Sequence, residues 1–168
     1  MAIPVRAARL RGQVFGAIVV ILLQAGIGMF VNLFVSIPKH HPGADSSDYF
    51  SGSTRSVIWA IAHGGVVLAI HVALGLLLAL MVIGIVARAL SLGRRSVISW
   101  SILGALGSIG AGFTGAGFLD FNQDVSSFFM AILAMASMLC FVIVIYLPWE
   151  SGPSESAALS QPSTTGAN

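Results

Sequence analysis

The sequence predicts an all-α integral membrane protein, built as an antiparallel bundle of four transmembrane helices. The first observation is composition: the 168 residues are 57% hydrophobic and 8% charged, with a mean hydropathy of +0.94. Soluble domains average about 45–50% apolar and about 25% charged residues. The second is a set of four uncharged stretches, each longer than the about 20 residues that cross a bilayer as a helix. The third is that the charged residues lie between these stretches. With this composition, a soluble domain and a disordered chain are both excluded.

Each uncharged stretch is continuously apolar and does not alternate with period two, which favours helices over a β-barrel. The predicted helices cover about 13–37, 56–87, 96–118 and 124–148, within one domain at 1–149. The second is longer than one span needs, so we expect it to tilt or to project into the outer loop. Short connections make consecutive helices antiparallel neighbours.

Two segments outside the predicted helices differ in kind. Residues 38–55 are polar and rich in Gly, Ser and Asp, which predicts an outer loop. Residues 150–168 are rich in Ser, Pro and Thr and have no apolar periodicity, which predicts a disordered cytoplasmic tail.

The charges sort by sign across the predicted membrane. Six of the eight basic residues precede the first helix or join the second to the third: Arg6, Arg9, Arg11, Arg88, Arg94 and Arg95. All four aspartates fall in the other two connections. Short cytoplasmic segments of membrane proteins carry an excess of Lys and Arg. The pattern therefore predicts a multi-pass protein of the plasma membrane with both termini in the cytoplasm. The predicted partner is the lipid bilayer, and a nucleic-acid partner is not expected.

A few polar side chains lie inside the predicted spans. Gln24, Gly28 and Asn32 fall on one stripe of the first helix, and His63 and His71 are two turns apart on the second. Similar depths predict that Gln24 lies beside His71 and Asn32 beside His63. Such groups commonly hydrogen-bond between transmembrane helices, and an intramembrane ionisable residue also marks a candidate functional site.

His71 is the candidate cofactor ligand of this set. A glycine one turn later, Gly75, would leave room for a flat macrocycle beside the imidazole, so haem b is one candidate cofactor. The candidate cofactor-binding residues are His71, His63, Gly75, Gln24 and Asn32. The third and fourth predicted helices contain no histidine, so a sixth ligand would come from Met130, Met135, Met138 or His71 of a second copy. A proton relay or a quinone site at the two histidines is the alternative.

Two other patterns suggest sites or contacts. His40, His41, Asp45 and Asp48 lie within nine residues of the outer loop, a donor set that suits a divalent metal, with a solvated polar cap as the alternative. Small residues form a stripe on the third predicted helix: Gly104, Ser108, Gly112 and Gly115. Such a stripe lets helix backbones approach closely within the chain, in a dimer or beside a cofactor.

The stretch from His71 to Gly75, HVALG, resembles the HxxxG-type stretch of small four-helix membrane haem proteins of the haem A synthase-like and b-type cytochrome-like families. The stretch from Gln24 to Gly28, QAGIG, is similar to the polar part of their first helix. This resemblance implies a haem held by His71 inside the bundle. More broadly, the chain resembles uncharacterised small four-span proteins of bacterial plasma membranes.

No HExxH, CxxC or Ser/His/Asp order occurs, so no catalytic residue is predicted and an enzyme is not expected. Three hypotheses follow. The first is an accessory or structural membrane component, as a homo-oligomer or part of a larger complex. The second is a b-type haem or quinone-linked redox protein using His71. The third is a small proton-coupled or metal transporter.

Overall fold

A computed structural model describes residues 5–44, 46–121 and 124–148 of the chain, and this part is all-α. Its five helices are α1 (Val5–Phe34), α2 (Tyr49–His63), α3 (Val66–Leu92), α4 (Arg95–Phe121) and α5 (Asp124–Tyr146). Of these, α1, α3, α4 and α5 are long and apolar enough to cross a membrane. The prediction of a multi-pass membrane protein with four membrane-spanning helices is therefore confirmed.

The four long helices form a closed ring in which α1 contacts α3, α3 contacts α4, α4 contacts α5 and α5 contacts α1. On the α1–α3 interface, Gln13 contacts Met81 and Gln24 contacts His71. Residue numbers therefore rise along α1 as they fall along α3, so the two helices run antiparallel. We call the end where α1 begins the arginine end, and the opposite end the α2 end.

Small residues allow α4 and α5 to pack closely against each other. A Cβ atom added at Gly104 would lie 2.6 Å from Cε1 of the buried Phe141 ring. The hydroxyl of Ser137 lies 2.6 Å from that of Ser108 and donates to the carbonyl oxygen of Gly104 at 2.6 Å. Gly112 is exposed and has nothing within 4 Å of its Cβ position. The predicted small-residue stripe thus packs within the chain at Gly104 and Ser108, whereas Gly112 points away.

The bundle has two buried apolar clusters, one towards each end. The larger extends from the arginine end along the bundle and includes Leu10, Val82, Val97 and Phe141. The smaller joins α2 to the bundle through Val31, Ala60, Leu68 and Leu119. Helix α2 packs on α3 and α4 at the α2 end of the bundle.

The segment predicted as one helix over 56–87 is two helices, and that prediction is wrong. The chain reverses at Gly64 and Gly65, where Gly65 has a φ of +82°. A Cβ at Gly64 would lie 2.6 Å from the carbonyl oxygen of Ala60, so the turn requires glycine. The shorter helix α2 starts inside the predicted loop 38–55. There the carboxylate of Asp48 accepts a hydrogen bond from the backbone N–H of Ser51 at 3.2 Å, a standard N-cap.

The remaining bounds differ less from the prediction. Helix α1 begins at Val5 instead of 13, because arginine and alanine are good helix formers and the first turns carry both. Helices α4 and α5 lie close to the predicted 96–118 and 124–148. The predicted tail at 150–168 lies outside the described residues.

Candidate functional site

Gln24 of α1 and His71 of α3 meet inside the membrane-spanning part of the bundle, as their depths predict. Nε2 of Gln24 donates a hydrogen bond to the main-chain carbonyl oxygen of His71 at 2.8 Å. This carbonyl also belongs to the hydrogen-bonded backbone of a helix, so the amide adds a second donor to it. The partner of Gln24 is therefore the backbone of α3 and not the imidazole ring.

Two glycines allow this close approach. A Cβ atom on Gly28 would lie 2.9 Å from Cε1 of His71, and one on Gly75 would lie 3.0 Å from Nε2 of Gln24. Each long polar side chain thus lies over the glycine of the opposite helix. The arrangement is reciprocal, and it brings the two backbones together as small residues do in membrane helix pairs.

The same arrangement occurs again nearer the arginine end. Nε2 of Gln13 donates to the carbonyl oxygen of Met81 at 3.2 Å, and it would lie 2.8 Å from a Cβ on Gly84. Gln13 and Gln24 are eleven residues apart, about three helical turns, and so share one face of α1. We call this interface, from Gln13 and Gly84 to Gly28 and His71, the glutamine seam.

Three polar atoms of the glutamine seam are buried without a hydrogen-bond partner in the described part of the chain. They are Oε1 of Gln13, Oε1 of Gln24 and Nδ1 of His71. An amide oxygen accepts hydrogen bonds, and an imidazole nitrogen donates or accepts according to its protonation. Leaving such groups unpaired in an apolar medium is unfavourable. These three atoms of the glutamine seam can therefore form further hydrogen bonds within the membrane-spanning part of the bundle.

The residues around His71 do not fit a haem. The space beside Gly75, which a macrocycle would need, is covered by the amide of Gln24, and the imidazole packs over Gly28 of α1. Met130, a candidate sixth ligand, has its sulfur 3.0 Å from the Cβ position of Gly115 in the α4–α5 interface. The protein's own side chains thus fill the site that the sequence suggests for the cofactor.

His63 does not share a helix with His71, because the turn at Gly64 and Gly65 separates α2 from α3. The predicted pairing of the two histidines on one helix face is therefore wrong. His63 and Asn32 are both exposed, and no hydrogen bond joins them in the described part of the chain. His63 instead lines a cavity of about 300 Å³ at the α2 end, together with Trp59 and other residues.

The segment between α1 and α2 is held to the bundle by His41, a role that the sequence did not suggest. The imidazole stacks on Trp59, with ring centroids 4.4 Å apart and planes inclined by 14°. Its Nε2 lies 2.9 Å from the carbonyl oxygen of Leu119 in α4, so an N–H there donates to that oxygen. Tyr49 anchors the start of α2 through a 2.7 Å hydrogen bond to the carbonyl oxygen of Phe113. Because Trp59 and Leu119 are distant from His41 in sequence, no local sequence pattern indicates these contacts.

The predicted metal-binding residues are used in other ways or lie outside the described part. His40 is exposed, Asp48 caps α2, and Asp45 is not among the described residues. Among the residues described, no three His, Cys, Asp or Glu side chains come together to hold a metal ion. The metal site at His40, His41, Asp45 and Asp48 stays a prediction.

No known protein family, curated protein or solved structure matches the chain. The resemblance to membrane haem proteins thus depends on the short stretches at 24–28 and 71–75 alone. What the helices establish is a multi-pass membrane protein with four packed span helices.

Proposed function

We propose that the chain is an accessory or structural component of a larger assembly in the plasma membrane and carries out no catalysis itself. The observation that supports this most is the reciprocal contact of Gln24 and His71 with Gly75 and Gly28. The polar groups of the span join α1 to α3, as polar side chains commonly do between membrane helices.

The proposed orientation places both termini in the cytoplasm. Arg6, Arg9, Arg88 and Arg95 are exposed at the arginine end, in agreement with the excess of basic residues on cytoplasmic segments. Membrane-impermeant thiol labelling of intact cells tests it in a Cys140→Ser background. We expect labelling of Ser47→Cys at the α2 end and none of Ser91→Cys at the arginine end, and the reverse pattern would contradict the orientation.

The accessory role is tested by the size and the spectrum of the native protein. Solubilised in a mild detergent, the chain is expected to migrate on native gels in a complex well above the mass of a single 17.4 kDa chain. His71→Leu is expected to migrate in the same way. Migration as a single chain, or a Soret band from cells grown with ample haem that is absent in His71→Leu, would contradict the proposal.

A second candidate function, a proton-coupled transporter, is supported by the unpaired atoms of the glutamine seam, Oε1 of Gln24 and Nδ1 of His71. Unused hydrogen-bonding groups inside a span suit bound water and proton transfer. Proton flux into proteoliposomes, followed with an entrapped pH dye, distinguishes the two functions. A flux that His71→Leu abolishes and His40→Leu retains would favour transport, whereas no flux above protein-free vesicles would favour the accessory role.

A further inference from the structure

The arginine end gathers six arginines around one end of the larger apolar cluster. Ala7, Leu10, Ala89 and Val97, all buried, belong to one cluster there and come from α1, α3 and α4. The arginines flank these residues in sequence, and they are Arg6, Arg9, Arg11, Arg88, Arg94 and Arg95. Three helix ends therefore bring their positive charges to one end of the bundle.

Acidic groups do not balance these charges. Asp48 precedes α2 as its N-cap, Asp120 lies in the last turn of α4 and Asp124 begins α5, so all three belong to the α2 end. The fourth aspartate, Asp45, is three residues before Asp48 in sequence. Glu150 and Glu155, beyond α5, lie outside the described residues. Even with both of them near the arginine end, six arginines minus two glutamates leave four net positive charges there.

Four of the arginines, Arg6, Arg9, Arg88 and Arg95, are exposed. Arg11 is held differently: it is half-buried, and its Nη2 donates to the carbonyl oxygen of Leu147 at 3.2 Å. Because the apolar spans end at these positions, the exposed guanidinium groups lie at the depth of the lipid headgroups.

We propose that the arginine end is a binding site for the headgroups of anionic phospholipids. Guanidinium groups bind phosphate oxygens through paired N–H donors, and basic clusters next to a membrane span attract anionic lipids. Several arginines from three helices around one apolar core can contact the phosphate of a lipid whose acyl chains lie along the bundle. The inference does not depend on the accessory role proposed above.

Lipid binding to the full-length protein in detergent tests the proposal, with phosphatidylglycerol compared to phosphatidylcholine by native mass spectrometry. Arg6→Gln/Arg9→Gln and, separately, Arg94→Gln/Arg95→Gln each remove two charges from the arginine end. The matched control, Lys39→Gln/Arg55→Gln, removes two charges from the α2 end. We expect each arginine-end variant to bind phosphatidylglycerol on the order of tenfold more weakly, and the control to be unchanged.

Salt and free phosphate complete the experiment. About 1 M ammonium acetate, where the Debye length falls to about 3 Å, is expected to remove the preference for phosphatidylglycerol. Equal affinity of the wild-type protein for the two lipids would overturn the proposal. So would equal losses in the control and in both arginine-end variants, or inorganic phosphate that binds as tightly as phosphatidylglycerol.

Discussion

Ser137 of α5 donates its hydroxyl hydrogen to the carbonyl oxygen of Gly104 in α4 at 2.6 Å. The bond crosses the interface at a point where Gly104 has no side chain and the two backbones are close. A hydroxyl inside a membrane span needs such a partner because lipid offers none. The Phe141 ring packs against the same glycine. Gly104 therefore takes part in a polar contact with Ser137 and an apolar contact with Phe141.

Gly104→Ala is expected to destabilise the bundle by about 1–3 kcal/mol, the usual effect of overpacking a filled core. The new Cβ would lie 2.6 Å from Cε1 of Phe141, whose ring is fully buried and has little room to move. Thermal unfolding in detergent measures the change. The control is Gly112→Ala on the same helix, which meets nothing within 4 Å and should be neutral or slightly stabilising. Equal effects at the two glycines would contradict the observed packing.

Gly28→Ala is expected to destabilise the protein by about 1 kcal/mol by displacing the half-buried His71 ring from α1. The Cβ would lie 2.9 Å from Cε1 of that ring, whereas Gly26→Ala on the same helix meets nothing within 4 Å. A double-mutant cycle with His71→Ala isolates the contact. In the absence of the ring, Gly28→Ala should lose most of its effect. An unchanged effect of Gly28→Ala in the His71→Ala background would show that the ring is not what the glycine accommodates.

Gln24→Leu is expected to lower the free energy of unfolding by about 0.6–2 kcal/mol, the range for interhelical hydrogen bonds in membranes. His71→Leu should have a smaller effect, since Gln24 donates to the main-chain carbonyl oxygen of residue 71, which the substitution retains. Chemical unfolding of the two variants in mixed micelles provides the comparison. A larger loss in His71→Leu would mean that the imidazole itself carries the interaction.

His41→Ala is expected to loosen the segment between α1 and α2 without unfolding the bundle. The substitution removes the stack on Trp59 and the hydrogen bond to the carbonyl oxygen of Leu119, together worth about 1–2 kcal/mol. Hydrogen exchange should become faster in residues 39–48 and stay unchanged in α3. The neighbouring His40 is exposed, so His40→Ala is the control, and faster exchange in that variant would contradict the assignment.

Composition and charge placement were sufficient to predict the number of span helices, because each of the four contains a long uncharged stretch. The turn at Gly64 and Gly65 could not be predicted in the same way. Those glycines lie in an uninterrupted run without charges, and glycine is common inside transmembrane helices. The close approach that requires glycine there involves Ala60 and Leu68, each four residues from Gly64, and it arises only where the helix breaks into a turn.

The candidate site was predictable in part. Depth alone placed Gln24 beside His71, since both lie near the middle of the predicted helices 13–37 and 56–87, although His71 lies in the second turn of the observed α3. Which atoms meet depends on the rotation of each helix about its own axis. The depth of a residue along the helix does not determine that rotation. The amide of Gln24 bonds to the backbone of α3 and covers Gly75. The HxxxG spacing instead suggests open space beside that glycine.

The closed ring of helices has a practical consequence for engineering. Arg11, near the start of α1, is hydrogen-bonded to Leu147, just after α5, so the first and last helices are neighbours. Two halves of a split fluorescent protein, fused ahead of α1 and behind α5, should meet and reassemble on the same chain. A short linker between those two positions should also permit a circularly permuted version opened at Gly93, in the turn between α3 and α4.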